Sequence, residues 1–140
     1  MINMELDLSA LTAQLDGIKR TADEAIRPAA QAGAQVYYNE VKLRAKRGNE
    51  TRYLKGGRTR PAGLLASAIY QVYSKDNSGQ DYATYHVSWN KKKAPHGILV
   101  EFGTSRAPKT PFLRPAFDSV HTAAEGAVNA ELQKRIKAGL

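Results

Sequence analysis

The sequence contains no cysteine among its 140 residues. Disulfides, thiol nucleophiles and thiolate metal sites are therefore excluded. It also lacks any apolar run close to the roughly 20 residues that a helix needs to cross a bilayer. The first eight residues contain two acidic side chains and no basic cluster, so they do not resemble a secretory signal. We therefore expect a soluble protein that is made in the cytoplasm.

The residue spacings that are typical of catalytic and cofactor sites are also missing. The three histidines, His86, His96 and His121, lie in different predicted elements and have no metal-ligand spacing. Ser67 is not flanked by the glycines of a nucleophile elbow. Neither a phosphate-binding loop nor a dinucleotide-binding glycine pattern is present. We therefore predict that the protein is not an enzyme, with no catalytic residues, no metal site and no cofactor.

Apolar residues recur at helical spacing near both ends of the chain. They predict a short N-terminal helix that ends close to Arg20. The apolar stripe of this helix consists of Leu8, Leu11, Leu15 and Ile18. An alanine-rich helix is predicted over residues 22–47, with Pro28 near enough to its start to bend rather than end it. A closing helix is predicted over residues 112–137.

The middle of the chain alternates apolar and polar residues, which is typical of strands. Two strands are predicted at residues 69–74 and 81–89, joined by a polar turn, and together they form a hairpin with one buried face. Residues 62–68 form one or two helical turns, and residues 95–102 form a short helix. Since 42% of the chain is apolar, we predict a single α+β domain over residues 1–140, with long helices packed on a small, mainly antiparallel sheet.

Positive charge is concentrated in one window of the chain. Between residues 42 and 60 there are eight basic residues and one acid, whereas the rest of the chain is nearly neutral. The basic residues are Lys42, Arg44, Lys46, Arg47, Arg52, Lys55, Arg58 and Arg60. Glycines and a proline in residues 48–61 predict a flexible loop. The window is either a solvated loop, a sequence-blind contact to DNA phosphates, or a docking site for an acidic partner.

Two short motifs near the C-terminus resemble those of a known family. Residues 98–104 read ILVEFGT and residues 111–116 read PFLRPA. They follow a GLLASAI element at residues 63–69, a small-residue helix and a basic loop. In this order, over roughly residues 20–137, the chain resembles the morphogenesis or tail-component family of lambdoid-type siphophages, which includes tail-completion and neck proteins similar to minor tail protein Z.

The resemblance implies a structural virion protein of a tailed bacteriophage or prophage. It implies a role in tail completion and head–tail joining, as a neck or connector ring subunit at the head–tail junction or the tail end. The implied partners are the connector, the tail terminator or the tail tube, together with other copies of the chain. The expected subunit forms a homo-oligomeric ring in the virion, is monomeric alone and assembles only on its partner, and non-specific DNA contact in the channel is compatible with it. The alternative is a small basic nucleic-acid-binding protein that uses residues 42–60.

The motif residues have structural interpretations of their own. These residues are Glu101, Phe102, Gly103, Thr104, Pro111, Phe112, Leu113, Arg114 and Pro115. We expect Phe102 to bury its ring and Gly103 to allow a left-handed turn at the end of a helix. Beyond this structural interpretation, Glu101 is hypothesised to form an ion pair with Arg114, within one subunit or between subunits. The second motif is expected to fix the start of the last helix.

Overall fold

Two long helices form the frame of the molecule in the computed structural model, which describes residues 4–45, 52–54 and 56–139. The elements in chain order are α1 (Ser9–Arg44), β1 (Arg52–Leu54), β2 (Arg58–Arg60), α2 (Leu64–Ser67), β3 (Ile69–Tyr73), β4 (Tyr85–Trp89), α3 (Gly97–Phe102) and α4 (Leu113–Gly139). Helices packed on a small antiparallel sheet confirm the α+β class. Within the described ranges, none of the helices is both long enough and apolar enough to cross a membrane.

Helix α1 is one continuous helix, so the predicted division into two helices near Arg20 is wrong. Thr21 lies between the two predicted helices, and its Oγ1 donates a hydrogen bond to the carbonyl oxygen of Gly17 at 3.0 Å. This bond keeps Thr21 inside the helical backbone pattern. The alanine-rich sequence that follows has high helix propensity, and α1 continues through Pro28 to Arg44.

Small residues allow α1 and α4 to pack closely and antiparallel. Ala25, Ala29 and Gly33 of α1 are buried, as is Ala124 of α4. A Cβ atom added at Gly33 would lie only 2.6 Å from Cγ2 of Val128, so a larger residue at this position would force the Val128 side chain to shift. The small-residue face that was expected to admit another helix therefore contacts α4.

The hairpin of β3 and β4 lies against α1. Its register pairs Ile69 with Trp89 and Val72 with His86. Ile69 and Trp89 are buried, whereas Val72 and His86 on the other face are exposed. The predicted alternation is therefore confirmed, although β4 begins at Tyr85 rather than at residue 81.

The main apolar core lies where the hairpin, α3 and the start of α4 meet the C-terminal part of α1. The side chains of Phe112 and Leu65 are fully buried. The ring of Trp89 packs edge-on against that of Phe112, with 5.6 Å between their centroids. Val41 of α1 belongs to the same cluster. The second motif thus supplies a central core residue, as expected for a segment that fixes the start of α4.

The segment predicted as a loop over residues 48–61 contains a second antiparallel hairpin. Strand β1 pairs with β2, and the register places Arg52 opposite Arg60. Gly56 and Gly57 form the turn with φ of +85° and +73°, which glycine adopts without strain. The flexibility of this segment stays a prediction.

Candidate interaction surfaces

Glu101 joins α3 to the beginning of α4 through its carboxylate. Oε2 accepts hydrogen bonds from the backbone N–H groups of Phe112 at 2.8 Å and Leu113 at 3.1 Å, and Oε1 accepts one from Arg114 at 3.4 Å. These N–H groups lie at the start of a helix, where they have no intrahelical acceptor and the helix dipole favours a negative charge. Glu101, which is 8% exposed, is therefore a cap supplied from a different helix.

The hypothesis of an ion pair between Glu101 and Arg114 is replaced by this cap. Arg114 contributes its backbone N–H group, and the residue is exposed to solvent. The ion pairs found in the described part of the chain do not include the two side chains. Charge-assisted bonds to backbone groups satisfy the buried carboxylate, and this arrangement fixes the position of α4 relative to α3.

Gly103 and Thr104 shape the loop that connects the two helices. The φ angle of Gly103 is +77°, a positive value as expected, but its ψ angle of 177° lies outside the left-handed helical region, so the expected left-handed turn is not formed. A Cβ atom there would lie 2.7 Å from the backbone nitrogen of Lys109. Oγ1 of Thr104 accepts hydrogen bonds from the backbone N–H groups of Arg106 at 3.2 Å and Ala107 at 3.0 Å. Local contacts therefore hold the loop, and the fold of one chain explains the presence of both Gly103 and Thr104.

Phe102 is 72% exposed, so the expectation that it buries its ring is wrong. Glu101 occupies the inward position of α3, and the next residue on a helix is turned by about 100° away from it. Ile98 and Leu99 are 49% and 53% exposed and lie one turn before Phe102. The three side chains form an exposed apolar surface, which we call the α3 face (Ile98, Leu99 and Phe102).

Cations flank the α3 face in the sequence on both sides. The loop before α3 and the loop after it contain five basic residues, all exposed: Lys91, Lys92, Lys93, Arg106 and Lys109. The acidic residue in this stretch, Glu101, is buried and bonded to backbone groups. The lysine run alone indicates only a polar loop, and its proximity in the chain to an exposed apolar face became evident from the exposure of Phe102.

The basic window divides into separate parts. Nζ of Lys42 donates a hydrogen bond to the hydroxyl of Tyr38 at 3.3 Å, and Arg44 pairs with Glu40 at 2.6 Å, so both are engaged on α1. Arg60 is half-buried on β2. The structure also places the backbones of Arg52 and Arg58 in the same hairpin, whereas Lys46, Arg47 and Lys55 lie outside the described residues.

Arg60 influences His96, which directly precedes α3. Burial, followed by the positive charge of Arg60, lowers the pKa of the His96 imidazole below its ordinary value. The neutral form is favoured because protonation would place two positive charges near each other in a partly desolvated site. The β1–β2 hairpin and the α3 segment are therefore electrostatically linked.

A cleft of about 480 Å³ lies between α1, α4 and β4. On its α1–α4 side the Tyr37 hydroxyl is 2.9 Å from Nδ1 of His121, and Nε2 of His121 is 3.0 Å from Oε1 of Glu125. Burial and then the charge of Glu125 raise the pKa of Tyr37. A raised pKa is the opposite of what a tyrosine base or nucleophile needs near neutral pH.

We therefore interpret this row of polar groups as a structural link between α1 and α4. The ring of Tyr37 also stacks on that of Phe117, with a centroid distance of 5.1 Å. This cluster was not predicted from the sequence, although the spacing of four residues between His121 and Glu125 places them on one face of a helix. In the described ranges, no group of three or more acidic or histidine side chains could hold a metal ion.

Comparison with protein families gives one match for this chain. A family described as "Bacteriophage HK97-gp10, putative tail-component" matches residues 9–103, which is more than half of the chain. The matched range begins at the first residue of α1 and ends at Gly103, so it includes the α3 face and the motif at residues 98–103. The second motif, at residues 111–116, lies outside it. Comparison with the curated proteins and with the solved structures gave no match.

Proposed function

Because the chain belongs to the HK97 gp10-like family of bacteriophage tail components, we propose that it completes the tail and joins it to the head as a ring subunit of the neck. Membership of the family makes the protein a structural component of the tail, and hence part of the virion. The finer assignment, to tail completion at the head–tail junction, is our proposal. The observation that carries it is the exposure of Phe102 within the motif.

Phe102 differs from its neighbours in having no role in the fold of a single chain. Glu101 caps α4 and Gly103 makes a turn that another residue could not make. Phe102, in contrast, presents a large apolar ring to solvent beside Ile98 and Leu99. Full burial of one such side chain contributes about 1.5–3 kcal/mol. An exposed apolar surface with a polar rim is typical of a protein–protein contact.

The partners that fit this proposal are the connector, the tail terminator or the tail tube, with other copies of the chain in the same ring. A ring subunit needs two different surfaces, because each copy contacts one neighbour with one surface and the next neighbour with another. The α3 face is one such surface, and its cations favour a neighbour that is acidic and apolar.

Deletion of the gene in its phage or prophage tests the proposed function. We expect electron microscopy of the lysate to show filled heads and full-length tails that have not joined. Expression of the Phe102→Ser variant in trans should leave joining at least tenfold below the level restored by the unchanged protein. The Val72→Ser variant, which changes a similarly exposed apolar side chain on β3, should restore it. Joined particles without the gene would contradict the proposal, as would the absence of tails altogether.

A second candidate function is contact with DNA through the β1–β2 hairpin. Arginine occurs at positions 52, 58 and 60, and the register places Arg52 opposite Arg60. Like charges at opposing positions of a hairpin destabilise it, and a bound phosphate would remove this cost. We propose the hairpin as the phosphate contact if the protein binds DNA.

An electrophoretic mobility shift assay with double-stranded DNA tests whether the β1–β2 hairpin binds DNA. Phosphate contacts predict binding that weakens steeply between roughly 50 and 200 mM salt. A triple substitution of Arg52, Arg58 and Arg60 by glutamine should abolish the shift. The control replaces Lys91, Lys92 and Lys93 by glutamine, which removes the same charge from another loop. If the two triple variants bind DNA equally, or the unchanged protein does not bind it, this candidate is wrong.

A further inference from the structure

The first turns of α1 extend beyond the end of α4. In the described part of the chain, Gln80 from the turn between β3 and β4 lies near the base of these turns, beside Asp16. Gly139, the last residue of α4, is in contact range of Thr21, so α4 ends at the level of Thr21. Residues 4–18, which we call the N-terminal arm, precede this level. The apolar stripe of the arm, Leu8, Leu11, Leu15 and Ile18, is between 41% and 56% exposed. The apolar stripe predicted from the sequence is present on α1, and its side chains are only partly buried within one chain.

The arm combines this apolar stripe with negative charge. It contains Glu5, Asp7 and Asp16 and no basic residue; Lys19 and Arg20 follow directly at its base. Asp7 accepts a hydrogen bond from the backbone N–H of Ser9 at 2.9 Å. Hydrogen bonding to the side chain of Ser9, followed by this backbone bond, lowers the pKa of the Asp7 carboxyl. A helix end without a packed face gains little from such a stripe, because most helical stability in proteins comes from packing.

The α3 face has the complementary character. It is apolar at its centre, and the exposed charges that flank it, from Lys91 to Lys109, are positive. The arm is apolar with negative charges. Contact between them would bury apolar groups of both surfaces and pair opposite charges around the rim, which favours the correct partner and speeds its approach.

The arm and the α3 face lie at opposite ends of the molecule. The segment that begins α3 packs on Trp89, and Trp89 lies in the core cluster with Val41. Ile18 and Val41 are separated along α1 by about 35 Å, at a rise of about 1.5 Å per residue. Since α1 is one continuous helix, the arm of a chain cannot reach its own α3 face. Contact between the two surfaces therefore requires two chains.

We infer that the N-terminal arm of one copy docks on the α3 face of the next copy. This inference rests on the proposed function as a ring subunit, and it names the two surfaces that such a ring would join. The contact is head-to-tail: each copy inserts one arm and accepts another. Repetition of one such contact gives a closed ring if the rotation between neighbours divides a full turn, and otherwise a helical chain.

Disulfide cross-linking tests the inference, because the chain contains no cysteine of its own. Two single variants, Leu15→Cys in the arm and Leu99→Cys on the α3 face, are prepared as full chains, one with a size tag, and mixed under mild oxidation. We expect the mixed disulfide to form at least tenfold faster than that between Leu15→Cys and Val72→Cys, the matched exposed control. A mixed disulfide no faster than this control, or predominant linkage of two Leu15→Cys chains, would overturn the inference.

The same pair of substitutions in one chain tests the contact in assembled particles. Oxidation of phage that carry the Leu15→Cys and Leu99→Cys double variant should give a ladder of linked subunits, whose highest rung gives the number of copies in the ring. Its absence in particles and in purified protein would overturn the inference and leave the deletion phenotype unaffected. Conversely, a ladder together with normal head–tail joining after deletion would contradict the proposed function only.

Reversal of charge separates docking from accidental proximity. Glu5→Lys with Asp16→Lys should lower the rate of the mixed disulfide about tenfold. Lys92→Glu with Lys93→Glu in the other chain should restore most of it. If charge reversal on either side has no effect, the charge complementarity that supports this docking partner is wrong.

Discussion

Glu101 and Phe102 are adjacent in α3, and their side chains have opposite environments. The carboxylate of Glu101 is buried against three backbone N–H groups of the next helix, whereas the ring of Phe102 lies in solvent. Burial of a carboxylate is costly unless hydrogen bonds satisfy it, and here the start of α4 supplies them. At the scale of single residues, one half of the motif stabilises the fold and the other half is available to a partner.

We expect Glu101→Gln to destabilise the protein by about 1–3 kcal/mol, because the amide carries no charge and directs an NH₂ group toward a backbone donor. The measurement is equilibrium unfolding in denaturant, and a lower melting temperature should accompany the change. Glu131→Gln is the control, since it removes an exposed pair with Arg135 that contributes at most about 1 kcal/mol. Equal stability of the two variants would show that the cap is not needed.

His96 should make the stability of the protein depend on pH. Its pKa is lowered in the folded state, so the unfolded state binds the proton more tightly. The stability that neutral His96 contributes is fully present above pH 6.5, the ordinary pKa of histidine in the unfolded chain. It is lost as the pH falls from 6.5 through the lower pKa of the folded state. We expect the loss of melting temperature between pH 7.5 and 5.5, measured by thermal unfolding, to be smaller in His96→Gln than in the unchanged protein. His86→Gln, at an exposed position, should behave like the unchanged protein.

At the scale of an element, Gly17 and Gly33 of α1 lie in different environments. Gly33 lies under α4, and an added Cβ would meet Cγ2 of Val128 at 2.6 Å. Gly17 lies in the N-terminal arm, where an added Cβ would have nothing within 4 Å. Helix propensity favours alanine over glycine by about 1 kcal/mol at both positions. Packing therefore decides whether substitution of each glycine by alanine stabilises or destabilises the protein.

We expect Gly33→Ala to destabilise the protein by about 1–2 kcal/mol, because the stiff Val128 side chain has to move and overpacking outweighs propensity. Gly17→Ala should be neutral or stabilise by up to about 1 kcal/mol. Both are measured by denaturant unfolding of the full chain. A stabilised Gly33→Ala variant would mean that α4 shifts readily and that the contact between the two helices is loose.

Helical and strand periodicity in the sequence predicted most of the elements correctly. The hairpin, the short helix before Gly103 and the closing helix are present within a few residues of the predicted bounds. The break near Arg20 was wrong because capping residues also occur inside helices, where Thr21 bonds to the preceding turn. The hairpin at Arg52–Arg60 was missed because its strands have three residues each, too few to show an alternating pattern, and lie in a segment rich in glycine and charge.

The character of the candidate surfaces could be predicted only in part. Spacing identified the stripe from Leu8 to Ile18, and the motif identified Glu101 and Phe102. Exposure of these side chains could not be predicted, because it depends on where α4 ends and on which side of α3 faces the core. A pattern of apolar residues shows that a face exists, whereas only the packed structure shows whether its partner is in the same chain.

At the scale of the whole molecule, the two exposed apolar surfaces differ in charge and lie at opposite ends. The charged residues of the arm are negative, and the exposed charged residues in the loops before and after α3 are positive. Two identical patches would favour a closed pair of subunits, whereas two different patches favour repeated addition. The arrangement therefore agrees with a subunit that is built for a ring.

We expect a truncated chain that lacks residues 1–18 to fold with nearly unchanged melting temperature, because the arm contributes no buried side chain to the core. The truncated chain should fail to restore head–tail joining. It should still be captured by copies that retain their arm, since its own α3 face is intact. Loss of cooperative unfolding on truncation would contradict this expectation and would show that the arm stabilises the fold.

The continuity of α1 has a consequence for the size of any assembly. A helix over Ser9–Arg44 is about 54 Å long and runs unbroken from the arm to the neighbourhood of the α3 face. If α1 links both contacts of a subunit, its length sets the distance between successive contacts. The size of a ring would then depend on the number of helical turns in α1, and insertion of whole turns ahead of Thr21 would change the distance between successive contacts in steps of about 5.4 Å per turn.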